Sequence, residues 1–212
     1  MCGRYVRDVN RDEAVKHFGI VDGLDYFDIH GYKASAEVFP GTEIFAINNE
    51  HRPEDVWWTI EDKDHKGIWR RTINAKSESV LWVPMFKDAF LHDRILVPAT
   101  GFFEWDARKQ RYEFKTDEPV FAFGGIARDC QIRGEIKRCA VILTTAGNEV
   151  VRPIHPKDRM PVIIHKRDYQ KWLDPATPIE ELERLMQPLA DDELHAKPVK
   201  EDDIGRQTEL FA

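Results

Sequence analysis

Six short runs restrict the fold of this chain most: Arg94–Val97, Gly101–Trp105, Arg111–Lys115, Val120–Gly124, Cys139–Thr144 and Val162–His165. They are rich in Val, Ile, Phe and Tyr and are separated by turns, the pattern of antiparallel strands. Asp106–Gln110 has the length of a hairpin loop. Upstream, Gly3–Arg7, Glu43–Ile47, Val56–Ile60 and Ile68–Arg71 read as further strands, the last two separated by the polar interval Glu61–Lys66. Helices are expected at 11–18, with Asn10 as N-cap and Gly19 as stop, at 86–91, at about 167–173 and at about 178–187. The last carries a capping-box pattern, Thr177-Pro178-Ile179-Glu180. Residues 20–43 read as mostly irregular up to the turn at Pro40-Gly41. The fold class is therefore α+β, mainly β, built on a single curved or barrel-like sheet. One domain is expected over 1–212, with a motif-bearing body at 2–173, a C-terminal helix and an acidic tail from about 178, the last twenty residues loosely held.

Charge bears on the choice of partner. The net charge is −7, but residues 180–212 hold ten Asp/Glu against four Lys/Arg, so the body is nearly neutral. Basic clusters lie within it: Lys66, Arg70, Arg71 and Lys76; Arg133, Lys137 and Arg138; Arg152, Lys157 and Arg159. Each reads equally as a phosphate-facing patch or a solvated face. No apolar run approaches the ~20 residues of a membrane span, and no signal pattern opens the chain. Three cysteines without C-x-x-C or zinc spacing indicate neither a disulfide framework nor a metal site, and no cofactor is called for. The cytoplasm is the default compartment.

Cys2 follows the initiator Met directly. Aminopeptidases remove Met before a small second residue, which would leave a cysteine with a free amine and a thiol on adjacent carbons. Such an aminothiol condenses with an aldehyde through an imine to a thiazolidine ring. The α-amine, with an unperturbed pKa of ~7.7–8.0, is far more often neutral at pH 7 than lysine. The thiol, at ~8.5, can close the ring as thiolate. Taken alone, Met-Cys also reads as an ordinary start.

Four other stretches hold candidate chemistry. Asn74-Ala75-Lys76-Ser77-Glu78 offers an amide that orients an amine or a hydroxyl, or closes a turn. In Pro98–Trp105, Glu104 sits in an aromatic run; it is either exposed by strand alternation or buried with a raised pKa that suits proton exchange. Thr144–Asn148 follows an apolar strand as a loop for phosphate or a plain turn. His155 lies between Pro153 and Pro156, ahead of Arg159-Met160-Pro161.

The ordered set Met-Cys-Gly-Arg-Tyr, Asn-Ala-Lys-Ser-Glu, Val-Pro-Ala-x-Gly-Phe-Phe-Glu-Trp, Leu-Thr-Thr and His…Arg-Met-Pro-Val resembles the SRAP family, proteins that shield abasic sites in single-stranded DNA. The likeness runs from Cys2 to about Leu173. It implies a distorted, mostly antiparallel β-barrel with peripheral helices and a thiazolidine cross-link between Cys2 and the ring-opened sugar. By the same resemblance, Asn74 positions amine and sugar, Glu104 shuttles protons and His155 assists Schiff-base formation. Arg4, Lys76, Trp105, Thr145, Arg159, Met160 and Pro161 fall on the DNA path. The partner implied is single-stranded DNA with abasic sites, including strand junctions, bound by a monomer that joins the nucleoid only through DNA. Lys76 stands where most members have Arg, and three residues separate His155 from Arg159 where one is usual. An N-terminal-cysteine amide hydrolase and a non-covalent single-strand-binding module remain as alternatives.

Overall fold

A computed structural model describes residues 2–20, 24–30, 34–63, 66–132 and 134–200, with only the backbone of residues 28–30 and 36. Met1, Arg133 and the acidic end at 201–212 lie outside the described residues.

In chain order the elements are β1 (Tyr5–Arg7), α1 (Arg11–Phe18), α2 (Asp25–His30), β2 (Ser35–Val38), β3 (Glu43–Ile47), β4 (Pro53–Trp58), β5 (Ile60–Lys63), β6 (Trp69–Thr72) and β7 (Asn74–Lys76). There follow α3 (Pro84–His92), β8 (Arg94–Ala99), β9 (Gly101–Trp105), β10 (Arg111–Thr116), β11 (Phe121–Ile132), β12 (Glu135–Ala146), β13 (Arg159–Pro161), β14 (Ile163–Ile164), α4 (Tyr169–Leu173), α5 (Ile179–Leu185) and β15 (Leu194–Pro198).

The expected barrel is present. Strands β12, β4, β3, β8 and β11 pair in a closed ring, because β12 meets β4 on one side and β11 on the other. Closure leaves those strands no free edge. All pairings in the ring are antiparallel except β12 with β4. A second sheet, ordered β15-β10-β9-β1-β2, holds the N-terminal strand against β9. Phe102, Phe114 and Phe123 carry the aromatic packing of the core, with Phe102 stacked on Phe114 at 4.8 Å. Gly124 is a steric necessity: a Cβ there would stand 3.0 Å from the Trp172 ring.

Local signals account for the clearest elements. Asn10 accepts from the Glu13 amide while Glu13 accepts from the Asn10 amide, and Gly19 ends α1 at φ 63°. Asp106 accepts from the amides of Arg108 and Gln110, which forms the hairpin loop before β10.

Elsewhere tertiary pairing overrides local pattern. Residues 20–43 contain α2 and β2, the latter held as an edge strand on β1. The polar interval after Trp58 contains β5, which pairs with β6 in a separate hairpin. Thr177 does not cap α5; its hydroxyl donates to the Lys171 carbonyl, and Pro178 occupies the N-cap without a side-chain bond. The strands around Cys139 and Phe123 extend to 12 residues each because they pair with one another over most of their length. Residues 194–198 are not loose but add β15 to the edge of β10.

Candidate active site

The N-terminal segment, β9 and the turns before β13 bring three of the sequence candidates together. The Phe103 amide donates to the Arg4 carbonyl (3.0 Å), and Tyr5 pairs with Phe102, so Cys2 and Glu104 lie on neighbouring strands or their extensions. Cys2 is fully buried, its thiol directed at the Arg4 carbonyl at 3.8 Å. Burial, with the Glu104 charge adding to it, pushes the thiol far above its ordinary pKa. Glu104, only 3% exposed, lies with its Oε2 3.3 Å from His155 Nε2. Of the alternatives open for Glu104, burial holds: both faces of β9 are covered, Glu104 on one and Phe103 on the other. Desolvation raises its carboxyl to about 7, against a smaller downward pull from the positive amino terminus.

His155 is buried as well. Its Nδ1 accepts the Arg159 amide at 3.3 Å, which leaves the proton of the neutral ring on Nε2, facing Glu104. Burial, then the positive amino terminus, lowers its pKa to about 4, so the ring is uncharged at neutrality. The contact with Glu104 is therefore not an ion pair. A buried acid titrating near 7, beside a thiol and a neutral imidazole, is equipped to give and take one proton.

Strand β12 organises the remaining candidates. Its residues 142–144 pair with β7 on one edge, Ile142 opposite Asn74 and Thr144 opposite Lys76. Its residues 144–146 pair with β13 on the other edge, Thr145 opposite Met160 and Ala146 opposite Arg159. Asn74 is buried; its Nδ2 donates to the Ile142 carbonyl at 3.4 Å, while its Oδ1 is buried without a hydrogen-bond partner among the described residues. An unanswered acceptor in the interior suits a donor from outside the chain.

Lys76 is exposed at the strand end, whereas Thr145, Met160 and Pro161 are buried. Met160, with no exposed surface, belongs to the core cluster that also contains Cys2 and Ile142. Arg159 is held by Glu78 through both guanidinium ends, Nη2 to Oε2 at 2.9 Å, and by the Thr144 hydroxyl at 3.2 Å. Arg4 lies over the rings of Phe39 (4.8 Å) and Trp105 (5.1 Å), a partly exposed cation–π stack beside β9. Sequence reasoning missed two exposed aromatics, Trp69 on the β5–β6 hairpin and Trp82 after the Ser77–Ser79 turn. Trp69 stands between Ile68 and two arginines, and that mixture of apolar and basic residues was the available signal.

A model of the SRAP family, SOS response associated peptidase, matches residues 1–205. The chain belongs to the SRAP family. Among SRAP relatives, abasic site processing protein YoqW of Bacillus subtilis is 31% identical over 217 residues, covering 94% of this chain and 92% of the relative. Abasic site processing protein YedK of Escherichia coli is 27% identical over 187 residues, covering 82% and 79%. A protein from Bacteroides thetaiotaomicron shares the fold, with a TM-score of 0.83 at 22% identity over 96% of this chain and 94% of its own.

The unusual spacing in this SRAP chain leaves His155 in contact with Glu104. Residues 156–158 form a turn in which the Asp158 amide donates to the His155 carbonyl at 2.9 Å and Asp158 adopts φ 49°. The Gly147 amide then donates to the Asp158 carbonyl at 3.0 Å and ties the turn to the end of β12.

Proposed function

We propose that this SRAP protein processes abasic sites in single-stranded DNA by covalent capture through Cys2. The observation that carries the reading is Glu104, buried, 3.3 Å from His155 and raised to about 7 near a second-position cysteine. The names of the relatives, abasic site processing proteins, support the substrate.

Once Met1 is removed, the α-amine of Cys2 adds to the aldehyde carbon of the opened sugar. Glu104 in its acid form protonates the departing hydroxyl, water leaves and an iminium forms. The resulting carboxylate takes the thiol proton, and the sulfur adds to the iminium carbon. A thiazolidine and one water result, and Glu104 recovers its proton. A pKa near 7 suits both halves of that cycle. His155 Nε2–H steers the carboxylate, and the Asn74 Oδ1 receives an amine or hydroxyl hydrogen. Lys76, Arg4 and Trp105 serve phosphate and base contacts along the strand.

The test is a denaturing gel of the Met1-processed protein with a labelled single-stranded oligonucleotide holding one abasic site. A heat-stable shifted band is expected that requires both the abasic site and Cys2. A band of equal yield from Cys2→Ala would sink the reading.

A further inference from the structure

Beside the Arg159–Glu78 pair, a cleft of about 360 Å³ opens between the Ser77–Ser79 turn, the end of β12 and the segment after α5. Its volume falls within the ~300–1,000 Å³ of small-ligand sites. Trp82 forms part of its wall and is 81% exposed, with no ring contact or side-chain hydrogen bond among the described residues. Leu81, Met186 and Pro188 add apolar lining, and Glu78, Glu183 and Thr145 add oxygen atoms.

We propose that this cleft takes one unstacked nucleobase next to the captured sugar, with Trp82 as its stacking platform. The proposal rests on the DNA reading above and adds a subsite to it. Three features favour a base over other occupants. The lining pairs a free aromatic face with carboxylates, and the arginine on Glu78 holds that carboxyl ionised, as an acceptor for exocyclic amines. Lys76, exposed and immediately before Ser77 of the lining, offers an ammonium to the phosphate of a base held there. The carboxylates of Glu78 and Glu183 disfavour an anionic group inside the cleft.

The cleft is also joined to the chemistry. Arg159 grips Glu78 in the cleft wall with its side chain while its amide fixes the His155 tautomer. An occupant of the cleft thus lies one residue away from the group that steers Glu104.

The test uses the full chain carrying Cys2→Ala, which separates binding from capture. Affinity is read by fluorescence anisotropy on single-stranded oligonucleotides with a tetrahydrofuran abasic analogue, flanked on either side by dC, dA or dT. Trp82→Ala should weaken binding by about 5- to 150-fold, the value of one base–aromatic stack, and Trp82→Phe should retain most of it. The loss should be larger for dC and dA than for dT, and it should vanish when both flanking nucleotides are tetrahydrofuran as well. The salt slope should not change, because stacking neutralises no phosphate. Equal binding by Trp82→Ala on every flank, or a loss that persists without flanking bases, overturns the proposal. Absence of a Cys2-dependent band with the unaltered chain sinks the capture reading instead and leaves this base-dependent measurement intact.

Discussion

Two ionisable side chains are buried almost equally deeply in this protein and are treated in opposite ways. Arg94, 2% exposed, donates to the carbonyls of Trp172 (2.6 Å), Phe90 (2.6 Å), Leu91 (3.0 Å) and Asp174 (2.6 Å). Those carbonyls lie at the ends of α3 and α4, where the helix dipoles are negative and backbone acceptors lack partners. One guanidinium therefore closes two helices onto the first residue of β8. Glu104, 3% exposed, has a neutral imidazole at 3.3 Å and a pKa that has moved to about 7. A buried charge that is fully answered holds structure together. One whose burial outweighs the attractions it receives, and so brings its pKa to neutrality, retains the ability to change protonation, which is what chemistry needs.

Exchanging each group for a neutral one breaks the comparison most sharply. Glu104→Gln keeps the shape and removes the proton carrier, so the capture rate should fall by about 10²–10⁴-fold. Folding stability at pH 8 should stay level or rise, since a destabilising charge has gone. Single-turnover gels and a denaturant titration measure the two. A large loss of stability with capture preserved would mean that Glu104 is structural. Arg94→Ala should do the reverse: it removes the guanidinium from four carbonyls, of which, among the described residues, that of Asp174 alone keeps a further donor, the Thr177 amide, and should cost about 3–5 kcal/mol. Capture per folded molecule should be unchanged, provided the oligonucleotide assay is run at low temperature on the folded fraction.

Little of this contrast can be read from the chain. Asn10 and Gly19 cap α1 through residues within it, and the six β-rich runs each contain all or part of a strand; both are local signals. Arg94 looks like a polar flank of a strand because its acceptors at 172 and 174 are contributed by a helix 78 and 80 positions away. The period-2 pattern likewise says nothing about Glu104, since β9 is buried on both faces, with Phe102, Phe103 and Glu104 all covered. The residues of the site were readable as a set of motifs, but their contacts were not. His155 reaches Glu104 only because the turn at 156–158 folds back on β12, a long-range event.

Titration sharpens the comparison at a smaller scale. Glu104 has a folded pKa raised from 4.5 to about 7, so its contribution to stability is complete below pH 4.5 and lost as pH rises through 7. His155 has a folded pKa lowered from 6.5 to about 4, so its penalty is absent above pH 6.5 and grows as pH falls towards 4. Between 4.5 and 6.5 the two slopes oppose each other, and the unaltered protein should show little pH dependence from this pair. Glu104→Gln should expose the histidine alone, with stability rising from pH 4 to 6.5 by about 3 kcal/mol. His155→Gln should expose the carboxyl alone, with stability falling by a similar amount from pH 4.5 to 7. Denaturant midpoints for the three proteins across pH 4–8 check this. Parallel curves for all three would show that the two groups do not titrate in that window.

Asn74 provides the smallest and most discriminating effect, because it stands between the two buried charges in kind. Its amide is inside the protein, its one hydrogen bond to the Ile142 carbonyl is long at 3.4 Å, and its Oδ1 has no partner among the described residues. If that oxygen is held in reserve for the DNA sugar or the Cys2 amine, replacing it with an apolar group of similar shape removes a buried unsatisfied acceptor. Asn74→Leu should then change stability by less than about 1 kcal/mol in either direction, since the weak bond lost and the desolvation relieved nearly offset each other. Capture should slow while non-covalent affinity for an intact single strand is retained, because the amide acts only where the opened sugar lies. A loss of stability comparable to that of Arg94→Ala, with the capture rate per folded molecule preserved, would place Asn74 with the structural group and remove it from the reaction.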